Sequence, residues 1–136
     1  MRIATSRLGR REPEPPKLRG VARLDRRTKD LTKRLRPGDV AIIDHLDLDR
    51  VSAEALVSCG VAAVVNVAPS TNGRYPNLGP QIVVDAGITL LDAVGPEIMT
   101  AVAEGDVVRV EGDVLLRGEE PVAQGSVQTR ESSKRR

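Results

Sequence analysis

The stretch Asp44-His45-Leu46-Asp47-Leu48-Asp49 holds the single histidine of the chain and three carboxylates within six residues. One imidazole with several carboxylates is a set that can hold a divalent cation. It follows the apolar run Val40-Ala41-Ile42-Ile43, which reads as a buried strand, and α/β folds place ligands beyond the carboxyl ends of their strands. Neighbours along an extended chain point to opposite faces, which works against a single ion site. Asp47 or Asp49 serves equally as the N-cap of the helix that follows, with His45 a turn residue. Asp44, His45 and Asp47 are therefore secondary candidates, and no metal and no cofactor is expected. Cys59 lies near the end of that helix. A nucleophilic thiol needs a base, and His45 is the one imidazole on offer, so Cys59 reads as a small buried hydrophobe.

The second chemical stretch is Asn72-Gly73-Arg74-Tyr75-Pro76-Asn77-Leu78-Gly79-Pro80, which carries the only tyrosine. Gly and Asn take positive φ and each Pro fixes its own, so the composition specifies a shaped polar loop. A short helix over residues 81–86 follows, with Pro80 in its first turn and Gly87 just past its end. Its free N–H groups face the loop, where an anionic small molecule can sit. Arg74 either clamps a carboxylate or phosphate bidentately or pairs with a domain acid. Tyr75 either contacts a ligand or packs over the loop. Asn66, Ser70, Asn72, Gly73, Arg74, Tyr75, Asn77 and Gly79 are the expected binding residues, and none is expected to be catalytic. Ser70 sits in no Gly-x-Ser-x-Gly elbow, and the chain has no Walker-type or Gly-x-Gly-x-x-Gly phosphate loop.

The elements that must position these residues are built without Phe or Trp, so Val, Ile, Leu and Ala fill the core, as in an α/β domain. The 136 residues suffice for one such domain. A lone cysteine excludes an internal disulfide, no apolar run approaches the roughly 20 residues of a membrane span, and the amino terminus lacks a signal-peptide core. A cytoplasmic location is the expectation. Charge is divided sharply. Residues 1–36 carry 13 Lys/Arg against 4 Asp/Glu, a net +9, whereas residues 37–129 carry 4 against 14, a net −10. The basic arm suits an acidic partner, an anionic surface or its own acidic domain. It lacks the interleaved aromatics of a nucleic-acid binder, so nucleic acid is not the expected partner.

Apolar runs and turn signals divide the chain into a basic, Pro-rich disordered tail over 1–18, a basic helical segment over 19–36, an α/β domain over 37–125 and a basic tail over 126–136. Within the arm, residues 21–24 read as a short edge strand and Asp25 as the cap of a helix reaching Leu35. The domain alternates strands and helices before a hairpin turned at Glu111-Gly112-Asp113, with residues 121–123 as an edge strand. That order predicts a single mixed-sheet α/β domain.

Two resemblances follow. The Gly-Asp strand start, the apolar strand after Gly60, the loop and helix ending Ala86-Gly87-Ile88 and the Gly105-to-Gly112 closing hairpin resemble the swivelling β/β/α phosphohistidine domain. That family carries a phosphorylated His before the helix, where this chain has residues 72–80 and no His, so the resemblance implies the fold without phosphoryl transfer. Arg26-Arg27-Thr28-Lys29, Leu35-Arg36-Pro37-Gly38-Asp39, Ile43-Asp44-His45, Asp47-Leu48-Asp49-Arg50 and Gly73 to Pro80 resemble, in order, the amino-terminal region of actinobacterial SteA-type cytokinetic ring proteins. Longer members add a thiamin pyrophosphokinase-like domain, which is absent here, and act in cell division with the membrane protein SteB. Gln128 to Ser132 resembles the start of their connecting helix. The resemblance implies a truncated or isolated module that binds a protein partner without catalysis, in relatives associated with the membrane at the division site. The alternatives are a small phosphoryl- or nucleotide-handling protein using Asp44, His45 and Arg74, or nucleic-acid binding through the arm.

Overall fold

The computed structural model describes residues 17–71 and 78–128. Their organising element is β1 (Lys17–Leu24), which belongs to two ladders. Its first five residues pair antiparallel with β5 (Val107–Glu111), and its last three pair parallel with β2 (Val40–Ile43). From β2 the sheet continues in parallel through β3 (Ala63–Asn66) and β4 (Thr89–Asp92), then antiparallel to β8 (Ser126–Gln128). From β5 it continues antiparallel through β6 (Val114–Arg117) and β7 (Glu120–Gln124), so the order is β7-β6-β5-β1-β2-β3-β4-β8.

The two ends of that order, β7 and β8, are joined by one residue, Gly125. The sheet must therefore curl until its edges meet. Gly125 donates its N–H to the Asp113 carbonyl at 3.0 Å. A Cβ there would collide with the Asp92 carbonyl oxygen, so the closing strand passes where only glycine fits.

Both faces of the parallel strands are buried, which accounts for their continuous apolar runs. Val40, Ile42, Ala63, Val65 and Leu91 face inward, against Val108, Val110 and Leu115 of the antiparallel half and Ile98 of α4 (Ile98–Ala101). Ala41, Ile43, Val64 and Leu90 face outward, under α1 (Thr28–Thr32), α2 (Arg50–Ser58) and α3 (Gly79–Asp85). The result is a single mixed-sheet α/β domain in three layers: helices, parallel strands and the folded-over antiparallel strands.

Three expectations about the ends change. The edge strand read at residues 21–24 is the last half of β1, central and paired on both sides, and β1 begins inside the segment expected as a disordered tail. Leu18, Ala22 and Leu24 alternate inward between basic residues, so the period of two was masked by charge. The helix read over residues 25–35 is confined to Thr28–Thr32, with Arg27 rather than Asp25 at the N-cap and no side-chain cap. It tightens at once, the N–H groups of Lys33 and Arg34 bonding three residues back to Asp30 and Leu31. Residues 126–128, read as the beginning of a basic tail, pair as β8 instead, because β4 needs a partner on its open edge and Val127 packs on the inner core.

Replacing Gly125 by Ala should lower the stability of the chain by about 1–3 kcal/mol through overpacking against Asp92 and Val94. A urea midpoint that falls without a change of slope would show it. An unchanged midpoint would mean that the sheet edges meet more loosely than described.

Candidate functional site

The carboxyl ends of β2, β3 and β4 come together, and the last residues of β3 and β4 are polar: Asn66 and Asp92, both buried. Asn66 uses its whole side chain. Its Oδ1 accepts from the N–H of His45 at 3.0 Å and of Ala68 at 3.1 Å, while Nδ2 donates to the His45 carbonyl at 2.9 Å and to Ser70 Oγ at 2.8 Å. Ser70 passes the chain of bonds onward, its hydroxyl donating to Asp92 Oδ1 at 2.7 Å and its N–H to the same oxygen at 2.9 Å. One buried amide, one hydroxyl and one carboxylate thus tie the loop after β2 to the loop after β3 and to the end of β4.

The two loops also pair directly. Asp47 and Leu48 donate their N–H groups to the carbonyls of Pro69 and Ser70, at 3.1 and 2.8 Å. Asp47 and Ala93 both take positive φ, 55° and 56°, a conformation held by the surrounding bonds rather than by residue type. Gly79, the first residue of α3, lies so close to the Leu48 carbonyl that a Cβ would overlap it. Ser70 and Gly79 are therefore fixed on the same loop, 46–49. The expected site residues Asn72, Gly73, Arg74, Tyr75 and Asn77 lie outside the described residues; Asn66, Ser70 and Gly79 converge as described.

The residues of the acidic stretch after β2 separate. Asp44 turns to Arg26 at 3.6 Å. His45 is held at both nitrogens, Nδ1 on Thr28 Oγ1 at 2.9 Å and Nε2 on Asp49 Oδ1 at 3.0 Å. With a proton on Nε2 the ring donates to Asp49, and the Thr28 hydroxyl bonds Nδ1. Asp49 also caps α2, its Oδ2 accepting from the Ser52 N–H at 3.2 Å. Burial pushes the Asp49 pKa up, but the Ser52 bonds and His45 outweigh it and hold the carboxylate below its ordinary range. No group of three or more His, Cys, Asp or Glu among the described residues could hold a metal. Cys59, at the far end of α2, is half-buried, directs its thiol at the Thr32 carbonyl at 3.6 Å and has its pKa raised by burial.

The described part of the basic arm, residues 17–36, is tied by ion pairs to the acidic domain. Arg34 bridges Asp25 at 3.0 Å and Glu104 at 2.9 Å, and Arg23 bridges Asp39 at 3.3 Å and Glu104 at 3.6 Å. The Arg34 bond holds Glu104 below its ordinary pKa, and the Arg27 N–H with Arg34 does the same for Asp25. Asp92 is the functional-looking residue that motif reading passed over. Its signal was a carboxylate closing the apolar run Leu90-Leu91, at a strand's carboxyl end.

No known protein-family profile and no curated protein matches this chain. Among the described residues no helix is long and apolar enough to cross a membrane.

Asn66→Ala should destabilise the chain by about 1–3 kcal/mol, by leaving buried N–H, carbonyl and hydroxyl groups without partners. Burial raises the Asp92 pKa above its ordinary value, opposed in part by the Ser70 and Ala93 bonds. Its contribution to stability is thus complete below the unfolded pKa, about 4, and is lost as pH rises through the folded value. Asp92→Asn removes that loss, so its stability relative to the native chain should improve between pH about 4 and about 7. Chemical denaturation at the two pH values reads the difference; equal differences would contradict the burial of a charge there.

Proposed function

We propose that this chain is a recognition module without turnover, whose contact surface is the connection over residues 72–80, which follows β3 and leads into α3. The observation that carries the reading is the Asn66–Ser70–Asp92 chain of bonds, which puts buried polar groups to work fixing loops. His45, the one imidazole, is likewise engaged at both nitrogens. A general base or nucleophile needs a lone pair aimed at substrate, and these groups aim theirs at one another. Buried, mutually satisfied networks of this kind give a rigid support. Arg74 and Tyr75 are the side chains in the connection suited to binding a partner, the first through its planar guanidinium and the second through an amphipathic ring.

The partner in this reading is a protein of the division machinery, a SteB-like membrane protein, in keeping with the motif resemblance to SteA-type cytokinetic ring proteins, and the module acts at the division site.

Arg74→Ala together with Tyr75→Ala should weaken binding to a SteB-type protein in detergent about tenfold or more while leaving the melting temperature nearly unchanged. Asn66→Ala should lower the melting temperature instead. A loss of stability in the first variant as large as in the second would make the connection structural. Calorimetric titration with nucleotides, phosphate esters and divalent ions tests the enzyme reading; conversion of any phosphate ester would overturn the proposal.

A further inference from the structure

Two adjoining clefts lie between α1, α2 and the loop after β2. The first, of about 430 Å³, is lined by Arg26, Arg27, Lys29, His45 and Leu46. The second, of about 340 Å³, is lined by Thr32, Val51 and Ala55, and the two share Thr28, Lys29 and Ser52. They form one groove with a cationic compartment and a small-residue, apolar one.

The cations of the arm fall into two groups, those committed to an acid and those left open. Arg23 and Arg34 are committed to Asp39, Asp25 and Glu104, and Arg26 to Asp44. Arg27 and Lys29 are exposed and make no ion pair among the described residues. Two large apolar side chains flank the groove in solvent, Leu46 at 59% and Val51 at 73% exposure. An apolar residue left exposed beside unpaired cations is the surface expected of a protein contact.

We infer that this groove docks an acidic segment of a partner protein, with carboxylates on Arg27 and Lys29 and a large apolar side chain beside Val51. A compact multiply charged anion suits it less well, because the Asp44 carboxylate lines the same cleft and Asp49 stands behind His45. Nucleic acid suits it less well again, since no Phe, Tyr or Trp among the described residues lines the groove for a base to stack on. Charge also orients the partner. Residues 37–129 carry a net −10, so an acidic segment is repelled by the body of the domain and drawn to a face where cations of the arm stay open. The inference does not rest on the reading given for the connection over residues 72–80.

The test is selection of a displayed library of short random peptides on the full-length chain. Enriched peptides are then titrated by fluorescence anisotropy. Enrichment should favour two or more Asp/Glu beside Leu, Ile, Met or Phe. Binding should weaken about tenfold or more in Arg27→Glu/Lys29→Glu, and also in Val51→Ser, and should fall with added salt. These side chains are exposed, so thermal melts of the variants should match the native chain; a variant that melts early is replaced by Lys29→Gln. The Arg74→Ala/Tyr75→Ala variant should bind the peptides as the native chain does, which separates this groove from the connection. Absence of enrichment, enrichment without acidic residues, or unchanged binding in the charge-reversed variant would overturn the inference. So would phosphatidylglycerol vesicles that bind through Arg27 and Lys29 when no peptide does.

Discussion

The parallel strands β2, β3 and β4 are apolar on both faces, and neither face can be left to water. Three short helices cover one face and cannot reach the other. The chain solves this by running β1 through both ladders, so that the antiparallel strands grow from the same strand and fold back over the inner face. Everything else in the fold is a consequence of that cover. The edges of the sheet meet at Gly125, and the ends of β3 and β4 are left at a rim with two loops above them.

At that rim the chemistry is inward-looking. A buried amide is satisfied only when all its donors and acceptors find partners, and Asn66 finds them in two loops at once. Asp92 carries a burial penalty that its Ser70 bonds offset only in part, which the fold tolerates because that carboxylate closes the network. Polar groups held this way stiffen the loops they touch. The same logic applies to His45, whose ring ties α1 to the cap of α2.

Electrostatics works on a larger scale. A strongly basic arm and an acidic body would attract each other in any arrangement, and they do so through Arg23 and Arg34 on Glu104. Exposed pairs of that kind contribute little to stability. Their effect is to decide which cations remain available. With those arginines engaged, the open positive charge of the α1 region shifts toward Arg27 and Lys29, beside Leu46 and Val51.

The sequence by itself determined the α/β class, the doubly buried strands, the choice of Asp47 or Asp49 as the cap of α2, the hairpin at Gly112-Asp113 and the glycine after α3, because each depends on near neighbours: period, cap and turn chemistry. It also singled out Asn66 and Ser70, as binding residues; their place in the buried network came with the tertiary structure. Only the tertiary structure decided that β1 is central, since Leu18, Ala22 and Leu24 read as scattered among charges until β5 and β2 flank them. It alone decided that residues 126–128 pair with β4, that Asp92 meets Ser70 across 22 positions, and that Thr28 meets His45 across 17. These are contacts between residues remote in sequence, and their partners exist only once the sheet has closed.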